Sequence, residues 1–393
     1  MIREADKTIL VITIILTIFG LLMIYSAGGS KYLLRQSAFF GISLVALFVF
    51  SNLNPKVLSF LAPFLYITSL LLLLAVLKLS PFAAQRWIPL GSFSLQPSEF
   101  AKLFVILFLA HIMVNLKQKL ETVYHALLPL AIVGLAAALV VIEPDLGAAQ
   151  IFFAPLLAML YWKGLNGFTI LLLVSPVLSM VASFSIVVWA VYIVALSIVL
   201  FLRRRLNEIV FGLTANSVFG LLTPLIWGSL KLYQKKRILT FLSPWLDPKG
   251  ISWQLIQSKI AMGSGQVFGK GFLAGTQKKL EFLPERHTDF IFSCIGEEFG
   301  FIGTAILLAL YLVLSYRILL IAKESHNEFN SLVAAGIWAM LSYQIVLNVG
   351  MTIGIFPVTG VPLPFISYGG SSLLVNFIAI GIVLSLSKRK LEY

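Results

Sequence analysis

Residues 8–27 read TILVITIILTIFGLLMIYSA, an uncharged run without proline. At 1.5 Å per residue, a helix of about 20 residues matches a hydrocarbon core of about 30 Å. Helix is the required form, because lipid offers no hydrogen-bond partner to free backbone N–H and C=O groups. The run is too long for the apolar core of a signal peptide and lacks a clear small-x-small exit, so it is expected to remain as a first span. Working outward, comparable runs recur near residues 36–51, 56–79, 99–115, 126–142, 148–162, 167–187, 188–202, 208–230, 290–321, 331–355 and 371–387. The expected fold is an all-α polytopic transmembrane bundle of about 10–12 spans.

Composition agrees. The 393 residues are 59% hydrophobic and 11% charged, where a soluble domain carries about 25% charge. Mean hydropathy is +0.98. Too few polar side chains exist to cover a globule against water, so lipid must solvate much of the surface. The one cysteine, Cys294, allows no disulfide within the chain.

Net charge is +13, and its placement excludes nucleic acid as the partner. With the N-terminus inside, the short inner loops and tails receive Arg3, Lys7, Lys56, Lys117, Lys119, Lys163, Arg203 to Arg205, Arg317, Lys323 and Lys388 to Lys390, while the short outer loops hold only Lys31, Arg35 and Arg86. That is a positive-inside pattern with both termini cytoplasmic. Residues 231–287 form a long basic outer loop, and long loops escape the orientation rule. The anions such a loop meets outside the cell are lipid headgroups and a phosphorylated lipid substrate. Within it, Ile251 to Met262 has the spacing of a short interfacial helix.

Four polar clusters carry candidate chemistry. Glu285-Arg-His-Thr-Asp289 joins the basic loop to a long apolar helix. Asp289 reads either as a helix cap, with Thr288 the alternative cap, or as a general base kept ionised by Arg286. His287 reads as a second base or as hydrogen-bonding support. A divalent cation such as Mg²⁺, held by Asp289 and substrate phosphates, fits this pattern because that ion needs few protein ligands, whereas a structural zinc site lacks its His and Cys pairs. The second cluster runs from Arg86 to Lys102. Arg86 suits a diphosphate because its planar fork matches phosphate oxygens. Glu99 and Lys102 are three apart and are expected to pair while lining a polar cavity. The third, Glu143-Pro-Asp145, offers two carboxylates as caps or interface anchors. The fourth, Gly360 to Ser372, is dense in proline and glycine, which breaks helices and implies a cavity floor. Residues 263–271, GSGQVFGKG, fail the P-loop spacing and read as a flexible loop bearing Lys270.

Together these stretches resemble the SEDS family (shape, elongation, division and sporulation). The matching pieces are Arg86-Trp with Gln96-Pro-Ser-Glu, Glu143-Pro-Asp-Leu-Gly, Gln257-Ser-Lys-Ile-Ala with Gly263-Ser-Gly, Leu283-Pro-Glu-Arg-His-Thr-Asp289-Phe-Ile-Phe, Gly296-Glu-Glu and Pro362-Leu-Pro-Phe-Ile-Ser-Tyr-Gly-Gly-Ser. Arg286 in the acidic motif is more similar to the elongation branch than to the division branch. The resemblance implies a peptidoglycan glycosyltransferase of the bacterial inner membrane, polymerising lipid II at its outer face. Its catalytic carboxylate would be Asp289, with Arg86, Gln96, Glu99, Lys102, Lys270, Glu285, Arg286, His287 and Ser367 as substrate-binding candidates. The implied partners are a single-span class B penicillin-binding protein and other membrane proteins of the elongation complex. The expected leaving-group cations are Arg86 with Lys102 or Lys270. The rival readings are a lipid II flippase and a non-catalytic scaffold. The family has ten spans, and the surplus here falls near 167–204, an extra hairpin.

Overall fold

A computed structural model describes residues 6–79, 86–90, 93–116, 122–203, 205–243, 251–275 and 286–389. Glu285, one candidate substrate residue, lies outside the described residues. Among the described residues ten helices are long and apolar enough to cross a membrane, and two shorter apolar segments, Leu146–Trp162 and Gly167–Ala182, accompany them. The chain is a multi-pass helical bundle.

The first three spans are α1 (Lys7–Gly28), α2 (Ser30–Asn52) and α3 (Pro55–Leu79). A two-stranded antiparallel hairpin follows, β1 (Ile88–Leu90) and β2 (Phe93–Leu95), pairing Pro89 with Ser94. It was not expected in an all-α chain. Next come α4 (Pro97–Asn115), α5 (Leu127–Ile142), α6 (Leu146–Ile151) and α7 (Phe153–Trp162). The break between α6 and α7 fits Pro155, which has no N–H to give the Ile151 carbonyl. Helices α8 (Gly167–Ala182) and α9 (Ile186–Arg203) fold back on one another and lead into α10 (Leu206–Ser229). The 231–287 segment carries α11 (Leu232–Leu242) and α12 (Ile251–Ser264), and the chain ends with α13 (Ile291–Glu324), α14 (Glu328–Ile353) and α15 (Gly370–Lys388).

Burial separates centre from edge. The most apolar stretch of α15 is 89% buried, and those of α4 and α14 are 67%, against 6% for α9. Helix α15 packs on α2, α13 on α1 and α14, and α8 and α9 on α10. At one end of the bundle the basic residues fasten helix termini. Arg317 pairs with Asp6 at 2.8 Å, Lys163 pairs with Glu328, and Lys388 and Arg389 donate to the last carbonyls of α2 and Leu53.

One expectation gains detail and one is corrected. Helix α12 packs one face against protein. Its Ser258 and Ala261 are fully buried, and Ser258 Oγ donates to the Thr352 carbonyl at 2.7 Å. Its small polar residues face protein, which hydropathy spacing alone does not distinguish from facing water. Residues 265–271 are not a free loop. They fill a notch in α13, where Gly300 leaves helical geometry at φ 65°. The N–H groups of Lys270 and Gly271 donate to the carbonyls of Glu297 and Glu298, while Gln266 and Val267 accept from Phe301 and Ile302. A Cβ on Gly265 would stand 1.9 Å from the Gly296 oxygen, so the approach requires glycine.

Candidate active site

The end of the bundle opposite Arg389 collects the four polar clusters. The 360–369 segment lies as irregular backbone between α14 and α15. Its prolines remove donors, and Ser367 of the segment itself and Asn348 of α14 bind backbone groups left over. Ser367 Oγ donates to the Thr288 carbonyl at 2.6 Å and accepts from Leu363 N at 2.8 Å. Asn348 Nδ2 donates to the carbonyls of Asp289 and Val361. Tyr368 N donates to the His287 carbonyl at 2.9 Å. Residues 287–289 are thereby tied at three successive carbonyls. Ser367, expected on substrate, is instead a positioning residue for this segment.

Asp289 is not a helix cap. Phe290 occupies that position, with no side-chain capping bond. Asp289 lines a cavity of about 520 Å³ together with Arg35, Arg86, Gln96, Asp145 and Tyr368. A Cβ on Gly360 would lie 3.4 Å from Asp289 Oδ2, so the carboxylate rests against the turn that carries this glycine at φ 75°.

Arg86 crosses the cavity wall. Its guanidinium donates to the carbonyls of Glu143 and Pro144 and lies 3.7 Å from Asp145 Oδ2. Asp145 also accepts from Gln96 Nε2 at 3.4 Å and caps α6 by accepting from Ala148 N. Tyr233 of α11 donates to Pro144 O at 2.7 Å and so joins the basic loop to the same turn. Glu143 has both carboxylate oxygens buried without a hydrogen-bond partner among the described residues. Burial, with Asp145 beside it, pushes Glu143 up to about 8 against the opposing pull of Arg86.

The remaining candidates go elsewhere. Glu99 and Lys102 pair at 2.7 Å as expected, but both are almost wholly buried and neither lines the Asp289 cavity. Lys270 meets Glu297 at 2.8 Å in the α13 notch, away from that cavity. The two lysines expected beside the leaving phosphate are thus placed away from the Asp289 cavity, each against a carboxylate in its own part of the bundle. Arg286 Nε donates to the Ala27 carbonyl at 2.7 Å, and the His287 ring lies 4.2 Å from that of Tyr32. Both support the segment around Asp289. Arg35 was missed as a site residue, although it is one of only three cations in the expected short outer loops. Asp145 was read only as an anchor or cap.

A family model for cell cycle proteins of the FtsW/RodA/SpoVE type matches residues 6–203 and 188–392. The chain belongs to this family. The peptidoglycan glycosyltransferase MrdB of Escherichia coli K12 is 36% identical over 386 residues, 97% of this chain and 93% of that protein. Among solved structures, a chain from a study of how a peptidoglycan synthase complex coordinates polymerization and crosslinking superposes with a TM-score of 0.76 at 28% identity, covering 100% of both chains. The crystal structure of Thermus thermophilus rod shape determining protein RodA gives 0.67 at 25% identity, covering 100% of this chain and 99% of that one. The bundle with its membrane-edge cavity is thus a FtsW/RodA/SpoVE fold over the whole described chain.

Proposed function

We propose that the chain is a peptidoglycan glycosyltransferase that polymerises lipid II into glycan strands at the outer face of the cytoplasmic membrane, in service of cell elongation. The carrying observation is that Asp289 leaves the capping position to Phe290 and lines a cavity with two arginines. Asp289 takes the proton from the acceptor sugar hydroxyl. That oxygen attacks the anomeric carbon of the donor, and the bond from that carbon to the diphosphate oxygen breaks. Arg86 stabilises the charge that grows on the departing diphosphate, and Arg35 lines the same cavity as the base. Gln96 and Asp145 hold Arg86 and its turn in place.

Several finer assignments belong to the same proposal. Both termini are cytoplasmic, following the distribution of Lys and Arg. The partner is a single-span class B penicillin-binding protein that cross-links the new strand, within a larger elongation complex. This is supported by the likeness to a chain of a peptidoglycan synthase complex. A divalent cation, held by Asp289 and substrate phosphate oxygens, would offset charge on the leaving group. Among the described residues no three His, Cys, Asp or Glu side chains group together to hold such an ion by themselves, so phosphate would have to supply most of its ligands.

The test is Asp289→Asn, which keeps the shape and removes the base. Purified parent and variant are given lipid II, and glycan chains are resolved by gel. The variant is expected to make no polymer while remaining folded. Normal polymer would overturn the base assignment. Translocation of lipid II by the parent in vesicles without polymer formation would favour a flippase. Intact partner binding and wall synthesis with the Asn variant would favour a scaffold.

A further inference from the structure

Arg86 and Asp145 face two cavities at once. Across them from the Asp289 cavity lies a second, of about 210 Å³, walled by α11 and by the 357–359 turn. Arg237 and Tyr233 of α11 line it, and Pro357, Val358 and Ile238 give it an apolar side. Among the described residues Arg237 forms no ion pair, and its guanidinium carbon stands 5.8 Å from the Tyr233 ring centroid. The one carboxylate present, Asp145, is already engaged by Arg86, Gln96 and Ala148 N. Two guanidinium groups against one carboxylate leave the cavity cationic. Its volume is below the roughly 300–1,000 Å³ of pockets that enclose a drug-sized ligand. It therefore suits an anionic headgroup with an apolar tail, and not a disaccharide with its peptide.

We propose that this second cavity holds the diphosphate of the donor lipid-linked sugar, with Arg237 as a binding residue and Arg86 shared between donor and acceptor sides. The inference rests on the polymerase reading and deepens it. In an inverting displacement the activated nucleophile and the leaving group lie on opposite faces of the sugar ring. Here Asp289 lines one cavity and Arg237 the other, and Arg86 lines both. The acceptor oxygen bonds to the anomeric carbon, the electron pair of the broken bond goes to the diphosphate oxygen, and the acceptor proton goes to the Asp289 carboxylate. The apolar wall beside Ile238 and Val358 would take the first part of the prenyl chain.

The experiment uses the full chain reconstituted in vesicles, with Arg237→Gln and Arg237→Lys, and lipid II as substrate. Undecaprenyl diphosphate serves as an inhibitor probe. Hydrogen bonds to a charged group contribute about 1.5–3 kcal/mol, so losing one weakens binding roughly tenfold or more. The Gln variant is expected to raise the KM for lipid II about tenfold and to weaken inhibition by undecaprenyl diphosphate about equally. The Lys variant is expected to recover most of both, which a merely structural loss would not do. Unchanged KM and inhibition in a folded Gln variant would overturn the proposal. So would a defect that follows the anionic phospholipid content of the vesicles and ignores undecaprenyl diphosphate, since the cavity would then hold a bulk lipid phosphate. Asp289→Asn separates the two readings. Polymer from that variant alongside the Arg237→Gln shift removes the base assignment and leaves the donor subsite standing.

Discussion

Two regions of this bundle bury polar side chains, and they do so in opposite ways. In the α8–α10 unit, Asn216 donates to Ser175 Oγ and to the Gly212 carbonyl, and accepts from the Tyr192 hydroxyl. Ser179 accepts from Trp189 Nε1 and donates to the Asn216 carbonyl. That network closes on itself. At the cavity end, Arg86, Arg35, Asp145 and Asp289 line open space, and among the described residues the two carboxylate oxygens of buried Glu143 meet no hydrogen-bond partner. A closed network in lipid holds helices together. An open one is costly unless a ligand or water completes it. The contrast locates chemistry more sharply than polarity alone, since both regions are rich in polar atoms.

The largest test of the contrast is Asp289. A general base contributes about 10² to 10⁴ in rate, so Asp289→Asn should lower polymerisation by at least that range in the lipid II gel assay, with thermal stability retained. Arg86→Ala removes charge-assisted bonds to the 143–145 turn as well as a cation from the cavity. It should cost roughly 10–100-fold in kcat/KM, measured with the same substrate. Arg86→Lys should recover only part, because one ammonium cannot span two carbonyls and a carboxylate.

The closed network should behave in the reverse manner. Asn216→Ala is expected to destabilise the protein by about 1–2 kcal/mol, the range for interhelical hydrogen bonds in membranes. Polymerisation per folded molecule should remain within about twofold. Thermal unfolding in detergent followed by the activity assay checks both. Strong loss of activity without loss of stability would break the comparison.

Glu143 tests the cavity end through the pH dependence of stability. Its carboxyl is raised from an ordinary 4.5 to about 8. The folded protein therefore holds a proton that the unfolded chain has lost between those values. Stability from this group is fully present below about pH 4.5 and drains away as pH rises toward about 8. Glu143→Gln should be more stable than the parent, by a margin that grows from pH 6 to pH 8 and levels off above it. Melting temperatures of both proteins across that range would show the trend, and a constant offset would contradict it.

Much of this was legible in the chain itself. Each span is written in its own residues, because a helix in lipid must satisfy its backbone internally and needs only a long enough apolar run. Trp162 to Arg205 showed a surplus pair of runs, and the structure turns them at residues 183–185. The Pro- and Gly-rich 360–372 stretch announced a broken segment for the same local reason. Which charges meet is a different matter. Lys270 and Glu297 pair across 27 residues, Arg86 and Asp145 across nearly 60, and Arg35 reaches the Asp289 cavity from the second helix. Spacing along one helix suggested the Glu99–Lys102 pair, and that pair closes on itself. Charge pairing acts over a few ångströms in space, so only the packing of distant helices decided which cations line the Asp289 cavity and which lie away from it.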